Sequence, residues 1–290
     1  MNTTLRELHI ADHDQVVDVS KSVWEDDYAT LNFPSWMEDP NWSTYGVFDS
    51  EQLEGFIALQ LIPDTTTGWV KALRVRNGFQ GEGVGTQLTK HTVAQAQDLG
   101  VKRLWYATSS RNKASIRIAE KSGFKLVNSV GYFRLERPLP QHPNPSPHYE
   151  PEVVDVDRVQ EILSMYPDLI PTDTIPIAWN FETKDSEGMQ RISRMAVFRI
   201  VRDDDGIPKA LYYTYVRERS ENKAAINSIY VSNRSIFVDI VSRILTEHET
   251  TDIDTLVFFL GPNGTEWSKT LGIVPEEFND RRFLLFEQTL

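Results

Sequence analysis

Four glycines lie between Gly78 and Gly85, in the stretch V-R-N-G-F-Q-G-E-G-V-G-T of residues 75–86. An apolar stretch precedes this turn and a helical pattern follows it, so the turn joins a strand to a helix. The N–H groups of a first helical turn converge without backbone partners, and the helix dipole adds partial positive charge beside them. Glycines would let the backbone approach phosphate oxygens with no Cβ in the way. The turn is therefore predicted to bind an anion.

Spacing separates this turn from other phosphate-binding motifs. A P-loop ends in G-K-[ST], but here Gly85 is followed by T-Q. A dinucleotide-binding fingerprint needs G-x-G-x-x-G, but its third glycine would fall on Thr86 or Leu88. The pattern that fits is Q-x-x-G-x-G, with Gln80, Gly83 and Gly85 at its fixed positions.

Two sequence blocks carry a family resemblance. A-L-R-V-R-N-G-F-Q-G-E-G-V-G-T-Q-L, residues 72–88, resembles the acyl-coenzyme A signature of the GCN5-related N-acetyltransferase (GNAT) superfamily. N-K-A-S-I-R-I-A-E-K-S-G-F, residues 112–124, resembles that family's N-x-x-A-x-x-L-Y-E-K-x-G-F block, one strand after the glycine helix. The resemblance covers about residues 4–137. It implies the acyl-CoA N-acyltransferase fold and an acetyl-CoA-dependent N-acetyltransferase (acyltransferase, EC 2.3.1.-).

The resemblance also implies where the cofactor, acetyl-CoA, is held. In this family the central sheet opens between the strand before the glycine turn and the next strand, and pantetheine lies in that gap. The residues expected to bind the cofactor are Leu73, Arg74, Val75, Gln80, Gly81, Glu82, Gly83, Val84, Gly85, Thr86, Asn112 and Ser115. Arg74 or Arg76 would add positive charge for a phosphate group.

The sequence departs from the family pattern at the catalytic positions. Where the family's L-Y-E-K segment carries its usual acid, the tyrosine, this chain has Ala119. Tyr106, on the preceding strand, and Ser115 are the substitutes that location offers, so both are expected to be catalytic. The strand before the glycine turn, G-W-V-K-A-L-R-V, has no carboxylate to serve as the base. The base would then be water, or an acidic side chain from the first helix and its loop.

The acceptor amine is expected to meet the loop V-W-E-D-D-Y-A-T-L-N-F-P-S-W-M-E-D-P, residues 23–40. This segment combines aromatic and acidic side chains, namely Trp24, Tyr28, Phe33, Trp36, Glu25, Asp26, Asp27, Glu38 and Asp39. Aromatic faces beside carboxylates suit a cationic amine, so Asp27, Tyr28 and Trp36 are predicted to bind the substrate. The alternative is a surface helix end with a tryptophan-anchored loop. D-Y, the following W and the later L-R-V are also similar to histidine N-acetyltransferase-like proteins, which implies a free amino acid as acceptor.

Composition argues against several kinds of ligand and cellular location. The net charge of −12 argues against nucleic-acid binding, although a local basic pocket could still hold a small anion. The chain has no cysteine, which excludes thiolate chemistry, and its six histidines show no ligand spacing, so no metal is expected. No signal peptide precedes Leu5 and no apolar run approaches the ~20 residues of a membrane span. We therefore expect a cytoplasmic protein without membrane contact.

The elements around the glycine turn form a mixed α/β pattern. The first half is predicted as β-α-β-β-β-α-β-α-β, with the turn directly after a strand over 68–75. Six prolines in residues 138–151 disfavour helices and strand ladders and favour an extended spacer. We therefore predict a domain over 1–138, a linker over 139–151 and a second domain over 152–290. A long surface loop within one domain is the alternative.

The second half repeats the later element order of the first, which indicates an internal duplication. Its counterpart of the glycine turn, I-Y-V-S-N-R-S-I-F at residues 229–237, contains no glycine. We therefore expect a degenerate second GNAT domain that binds no coenzyme A and packs on the first. The chain would be a pseudo-dimeric monomer or a homodimer. The main hypothesis is acetyl transfer to a small-molecule amine. A coenzyme A-binding sensor without turnover and a peptide or ribosomal-protein acetyltransferase are the alternatives.

Overall fold

The computed structural model describes the chain over residues 3–24, 27–219 and 222–290. The chain divides into two compact units. The first unit holds residues 1–108, 112–127 and 285–290, and the second holds residues 109–111 and 128–284. The units therefore separate after Val127, whereas the sequence predicted a boundary at the proline-rich segment.

Within its described residues, the first unit contains the elements β1 (Thr3–Glu7), α1 (His13–Val23), α2 (Tyr28–Glu38), β2 (Trp42–Asp49), β3 (Gln52–Leu61), β4 (Thr67–Val75), α3 (Val84–Asp98), β5 (Arg103–Ser109) and α4 (Lys113–Lys121). The strand order is β1-β2-β3-β4-β5. Neighbouring strands are antiparallel, except that β4 and β5 are parallel. The last residues of the chain also belong to this unit, where Trp105 Nε1 donates a 2.8 Å hydrogen bond to Glu287 Oε2.

Helices α1 and α3 each bury one apolar face. Val16 and Val19 on α1 and Leu88 and Ala96 on α3 are completely buried. Val16 and Val19 are three residues apart, and Leu88 and Ala96 are eight residues apart, so each pair lies on one face of its helix. Gly100 follows α3 with φ +77°, the left-handed conformation that ends many helices and that glycine adopts without steric cost.

The segment over 23–40 was predicted to be a loop, but most of it is helix α2. Asp27 caps the helix by accepting a 3.2 Å hydrogen bond from the Ala29 N–H. Pro34 inside the helix cannot donate to the Thr30 carbonyl, and His13 Nε2 lies 3.1 Å from that oxygen instead. A proline in the middle of the pattern is what concealed this helix. Glu25 and Asp26, also predicted to line the loop, lie outside the described residues.

The second unit is entered along a strand, β6 (Lys125–Glu136), that begins in the first unit. Its other described elements are β7 (Glu152–Val154), α5 (Val156–Met165), β8 (Thr174–Ile177), β9 (Asn180–Thr183), α6 (Ser186–Ser193), β10 (Val197–Arg202), β11 (Pro208–Arg219), β12 (Asn222–Val231), α7 (Arg234–His248), β13 (Thr255–Leu260) and α8 (Pro262–Ser268). The last strand, β14 (Arg282–Thr289), begins in this unit, and its residues from 285 onward belong to the first unit. The strand order is β6-β13-β12-β11-β10-β7. Strands β12 and β13 are parallel, and the other pairs are antiparallel.

The proline-rich segment lies inside the second unit and is held against α7. Arg243 donates from one guanidinium nitrogen to the carbonyls of Ser146 and Tyr149, at 3.1 and 3.2 Å. Asp239 accepts from the Ser146 N–H, and His142 Nε2 lies 3.0 Å from Thr246 Oγ1. The segment is therefore ordered and lies along a helix. The prediction of an extended spacer fits its irregular backbone, but a place between two domains does not fit its position.

The predicted fold class is confirmed, since both units are built on mixed sheets flanked by helices. The described ranges contain no helix that is long and apolar enough to cross a membrane.

Candidate active site

The first unit's sheet opens between β4 and β5. The two strands pair only from Thr67 to Val70 on β4 and from Arg103 to Tyr106 on β5. Beyond that point, β4 continues to Val75 along β3. A bulge marks the place, because β3 pairs Phe56 with Arg74 but Ala58 with Lys71, which leaves one extra residue on β4. The bulged strand bends away from its neighbour, so a gap opens beside Leu73 and Val75.

Ala72 shows how strongly the bulge bends the strand. Its φ is +49°, in the left-handed region that a residue with a side chain rarely adopts. The alanine is buried, with 5% of its surface exposed, so surrounding packing holds this backbone in place. The gap is therefore a fixed feature of the strand.

The glycine turn follows β4 and is solvent-exposed. Gly78, Gly81 and Gly83 have φ values of +101°, +92° and +93°, and a Cβ added at any of them would meet no heavy atom within 4 Å. Gln80, predicted to bind the cofactor, also fixes the turn, since its Nε2 donates a 3.0 Å hydrogen bond to Asn77 Oδ1. The space around the turn is thus open to a ligand that approaches the backbone.

Helix α3 begins directly at this turn. Its N-cap is Gly83, so no side chain occupies the amides of the first turn, which Val84, Gly85 and Thr86 form. Those amides lack intrahelical partners, and the helix dipole adds positive charge, so the turn suits a phosphate or pyrophosphate. Glu82 lies exposed within the turn.

A buried carboxylate next to the turn was missed by the sequence analysis. Glu54 on β3 is 2% exposed, and within the described residues its Oε1 has no hydrogen-bond partner. Its carbonyl accepts a 2.7 Å hydrogen bond from the Arg76 N–H, which ties β3 to the start of the turn. Burial raises the pKa of Glu54 above its ordinary value, and the charges of Asp49 and Glu82 add to the rise.

The predicted catalytic pair, Tyr106 and Ser115, lies together. The Tyr106 hydroxyl is 2.7 Å from Ser115 Oγ, which joins the end of β5 to the first turn of α4. Asn112 caps α4 by accepting a 3.0 Å hydrogen bond from the Ser115 N–H, so Asn112 has a structural role whatever else it binds. Ala119, at the position of the family's tyrosine, is completely buried four residues after Ser115. Residues four apart share a helix face, so Ser115 lies one turn from the usual acid position.

The ionisation of Tyr106 suits a proton donor. Only 4% of its surface is exposed. Burial raises the pKa of its hydroxyl, while the hydrogen bond with Ser115 and the charge of Arg74 oppose the rise. The hydroxyl is therefore protonated across the neutral and mildly alkaline range.

Asp27 and Arg74 were predicted to touch the acceptor and a cofactor phosphate, but the structure pairs them with each other. Arg74 Nε and one terminal nitrogen donate to the two Asp27 oxygens at 2.6 and 2.8 Å, and 3% of Asp27 and 7% of Arg74 are exposed. The remaining terminal nitrogen donates to the Leu73 carbonyl at 3.0 Å. Because Arg74 and Asp27 neutralise each other in a buried pair, Arg74 is a poor candidate for binding a phosphate. Arg76 is therefore the better placed of the two arginines proposed for that role.

The aromatic side chains of this region divide into two groups. Trp24 and Tyr28 stack against the buried arginine, with the Arg74 Cζ atom 4.2 and 5.5 Å from their ring centroids. Trp36 instead belongs to the core, since it is 5% exposed and its ring lies 4.8 Å from that of Trp42. Its prediction as an acceptor residue thus conflicts with its burial, and the alternative of an anchoring tryptophan fits it better.

Tyr28 lies between these two groups. Its ring is 6.1 Å from the Trp36 ring, and it is partly exposed. Burial raises the pKa of its hydroxyl, which the positive charge of Arg74 and the backbone of Ala72 lower in part. Of the three residues predicted to bind the acceptor, Tyr28 is therefore the one that remains a candidate, and it lies near the bulge.

The described parts of the chain contain no group of three or more His, Asp or Glu side chains arranged to hold a metal ion. The expectation that the protein needs no metal stays a prediction.

The whole chain is similar in fold to solved acetyltransferase structures. A Thermoplasma acidophilum protein assigned to the acetyltransferases has a TM-score of 0.62 and 14% identity, over 99% of this chain and 100% of that one. A GCN5-related N-acetyltransferase from Sphaerobacter thermophilus has a TM-score of 0.61 and 12% identity, over 99% and 95% of the two chains. A tandem GNAT protein from the clavulanic acid biosynthesis pathway has a TM-score of 0.56 and 13% identity, over 99% and 98%. At these identities the similarity establishes the fold.

Sequence places the first unit in a family. Residues 4–124 match the acetyltransferase (GNAT) family, while no curated protein matches the chain. Both the strand gap and the glycine turn lie within this matched segment. Residues 4–124 are thus similar to the GNAT acetyltransferases, the family whose signature the sequence resembles.

Proposed function

We propose that the first unit transfers an acetyl group from acetyl-CoA to the primary amine of a small molecule. The observation that carries this proposal is the gap between β4 and β5, which has the glycine turn at one side and the Tyr106–Ser115 pair at the other. A strand edge, a set of unpaired amides and a buried proton donor are what an acyl transfer of this kind requires.

The residues of the gap fit coenzyme A. The amides from Gln80 to Thr86 would hold the pyrophosphate, with Arg76 beside them, and the β4 edge at Leu73 and Val75 would pair with the pantetheine arm. Bound acetyl-CoA would supply an activated acetyl thioester. The chain contributes the orientation of both substrates, and proximity alone can supply much of the rate acceleration.

Tyr106 would protonate the leaving thiolate. Its buried hydroxyl is protonated at neutral pH and is held by Ser115 at 2.7 Å, so the serine would orient it. The described part of β4 has no carboxylate, and Asp27 is committed to Arg74. Water is therefore the proposed acceptor of the amine proton.

The acceptor would lie against Tyr28, with a free amino acid as the first candidate. Aromatic faces attract cations, although the pairing of Asp27 with Arg74 removes the carboxylate that the sequence had offered as a second partner. The proposed acceptor class thus relies on the aromatic contact more than on charge.

A coenzyme A-binding sensor is the second candidate, and one observation favours it. The family's tyrosine position holds a completely buried alanine, Ala119, which cannot donate a proton. The two proposals share the cofactor site and differ only in turnover.

A thiol-release assay separates the two candidates. Acetyl-CoA is incubated with the full chain and a panel of free amino acids, polyamines and peptide N-termini, and free coenzyme A is followed over time. Turnover with an acceptor supports the transferase and excludes the sensor. Tight acetyl-CoA binding with no turnover across the panel would favour the sensor.

The second unit is proposed to be a degenerate GNAT-like copy, and the protein to be cytoplasmic and either a pseudo-dimeric monomer or a homodimer. The similarity of the whole chain to a tandem GNAT protein supports the first of these proposals. The pairing of β12 with β13 up to Ile229 and Leu260 also fits, because it leaves no gap like that of the first unit.

A further inference from the structure

Arginine and aromatic side chains alternate in one part of the second unit. The Arg281 Cζ atom lies 5.0 Å from the ring centroid of Tyr132 and 5.2 Å from that of Phe278. The Arg134 Cζ atom lies 5.9 Å from the Phe278 ring. Guanidinium groups stacked on aromatic faces keep their edge donors available for a planar oxyanion.

The alternation continues past Tyr132. Its ring lies 6.4 Å from that of Trp179, and the Arg217 Cζ atom lies 4.9 Å from the Trp179 ring. Trp179 is a large aromatic side chain with 38% of its surface exposed. We call this group the arginine–aromatic cluster, and its members are Arg134, Arg217, Arg281, Tyr132, Trp179 and Phe278.

Positive charge exceeds negative charge around this cluster. Arg281 is half-buried, and burial lowers the pKa of its guanidinium, with the nearby charges of Arg111 and Arg134 lowering it further. The acidic neighbours include Glu136, which lies 3.1 Å from Arg134, and Glu277, which acts on Arg281. Asp280 borders the same small cavity as Arg281, and it lies 3.4 Å from Lys269 Nζ. Among the described residues neither Arg281 nor Arg111 forms an ion pair. Arg281 Nε donates only a long hydrogen bond, of 3.4 Å, to Ser109 Oγ.

Several arginines held close together destabilise the folded protein unless a bound anion neutralises part of their charge. Like charges held close together in a partly buried place repel one another, and the repulsion is weakly screened where water is excluded. The chain as a whole carries a net charge of −12, so this local excess of arginine runs against its overall composition. Groups of like charge kept together in this way are typical of functional sites.

We propose that the arginine–aromatic cluster binds a small organic anion with at least two oxyanion groups, as carboxylates or phosphates. Arg281 would hold one oxyanion in a bidentate contact and Arg134 or Arg111 the second, while the body of the ligand covers the exposed face of Trp179. The cavity that borders Tyr132, Phe278 and Arg281 has a volume of only about 10 Å³, so the ligand would lie on the surface of the cluster. A long polyanion is disfavoured by the net negative charge of the chain. The proposal does not depend on the transferase activity.

The test uses citrate and pyrophosphate as probes of the full chain, by isothermal titration calorimetry at low salt. Saturating coenzyme A is present throughout, so that the cofactor site of the first unit is already filled. The main variant is Arg281→Gln. The matched control is Arg158→Gln, which removes an exposed arginine of the same unit that pairs with Glu161 at 2.7 Å.

At least one probe is expected to bind the unaltered chain, and binding should weaken at least tenfold in Arg281→Gln and less than twofold in Arg158→Gln. A preference for citrate would identify carboxylates as the ligand groups, and a preference for pyrophosphate would identify phosphates. If neither probe binds, or if both variants weaken binding equally, the proposed site is wrong. Should Arg281→Gln fail to fold, the exposed Arg134 replaces it as Arg134→Gln under the same criteria.

Discussion

Glu54 is a buried carboxylate beside the turn that we propose to bind phosphate, where a negative charge is unexpected. Glu54 is 2% exposed, and burial raises the pKa of its carboxyl group. A carboxyl group whose pKa is raised on folding stabilises the fold below its ordinary pKa of 4.5, and loses that contribution as pH rises through the folded value. Removing the charge should therefore stabilise the protein at neutral pH and change little at pH 4.

We predict that Glu54→Gln raises the free energy of unfolding at pH 7.5, because it removes a buried negative charge and keeps the shape of the side chain. Denaturant titrations at the two pH values provide the measurement, and Glu51→Gln, an exposed position before β3, is the control. Coenzyme A should also bind more tightly, because a negative charge near the turn is removed. A stability gain of equal size at pH 4 would contradict the assignment of the effect to ionisation.

The pair of Asp27 and Arg74 predicts a loss of stability. Both side chains are buried and joined by two hydrogen bonds, so removing one partner leaves the other charge without compensation. We expect Asp27→Asn to lower the free energy of unfolding by about 3–5 kcal/mol. The exposed variant Glu161→Gln, which breaks an ion pair with Arg158, should cost less than about 1 kcal/mol. If Asp27→Asn were fully stable but raised the Michaelis constant for the amine alone, Asp27 would bind the acceptor after all.

Tyr106 is expected to act on kcat. We predict that Tyr106→Phe lowers kcat about 100-fold, a typical contribution of a general acid, with little change in the Michaelis constant for acetyl-CoA. Because burial raises the pKa of Tyr106 above its ordinary 10.0, the unaltered enzyme should show no loss of kcat up to pH 9. Pre-steady-state and steady-state thiol release measure both quantities. Retention of full kcat in Tyr106→Phe would assign the tyrosine a packing role.

These residues differ in how far the sequence could predict them. Tyr106 and Ser115 could be named because one lies on a strand and the other on the following helix of a recognised pattern. Asp27 and Arg74 are 47 residues apart, and their pairing depends on how the start of α2 packs on β4. Nothing in the sequence pointed to Glu54, because a sequence alone does not show whether a glutamate is buried or exposed.

At the scale of elements, the glycine turn acts through its backbone. Gly83 has φ +93° and no heavy atom within 4 Å of an added Cβ, so Gly83→Ala would not clash with the protein but would put a Cβ where the phosphate is expected. We predict that acetyl-CoA binding weakens at least tenfold, which corresponds to about 1.4 kcal/mol. Gly85 is a poorer choice for substitution, because a Cβ there would lie 2.8 Å from Ile118 Cδ1 and disturb packing.

Gly206→Ala is the matched control for this experiment. Gly206 also has a positive φ, +74°, with no atom within 4 Å of an added Cβ, but it lies in the turn between β10 and β11 of the second unit. The two variants should therefore lose similar stability from backbone strain, about 1–2 kcal/mol. Calorimetry should show weaker binding only in Gly83→Ala, and equal affinity in both folded variants would rule out the turn as the phosphate site.

Elements were predicted well where periodicity is regular and poorly where a proline interrupts it. Helix α3 has a clear apolar face and a glycine stop, and it follows the glycine turn directly, as the sequence predicted. Helix α2 contains Pro34, which cannot make the backbone hydrogen bond to the Thr30 carbonyl. The side chain of His13, from another helix, lies at that carbonyl instead, and no local sequence pattern reveals this contact. The proline-rich segment was rightly predicted to be irregular, but its attachment to Arg243 depends on tertiary contacts.

At the scale of the whole molecule, the corresponding parallel strands of the two units differ. Strands β12 and β13 pair over six residues each, from Ala224 to Ile229 and from Thr255 to Leu260, whereas β4 and β5 pair over four. The first-turn amides of α7, the helix that follows β12, already have a hydrogen-bond acceptor. Asn233 caps α7 by accepting hydrogen bonds from the Ser235 and Ile236 amides at 2.9 and 3.1 Å. The second unit thus has neither an open strand edge nor uncapped amides at this place.

One equivalent of coenzyme A per chain is therefore expected. In the first unit a glycine caps α3 and leaves its amides available, while in the second unit the Asn233 side chain already occupies those of α7. Calorimetric titration of the full chain should give a stoichiometry of one, and Gly83→Ala should weaken that single site. Asn233→Gly, which removes the capping side chain, should leave stoichiometry and affinity unchanged. A second equivalent that persists in Gly83→Ala would mean that the second unit binds coenzyme A by contacts other than a glycine turn.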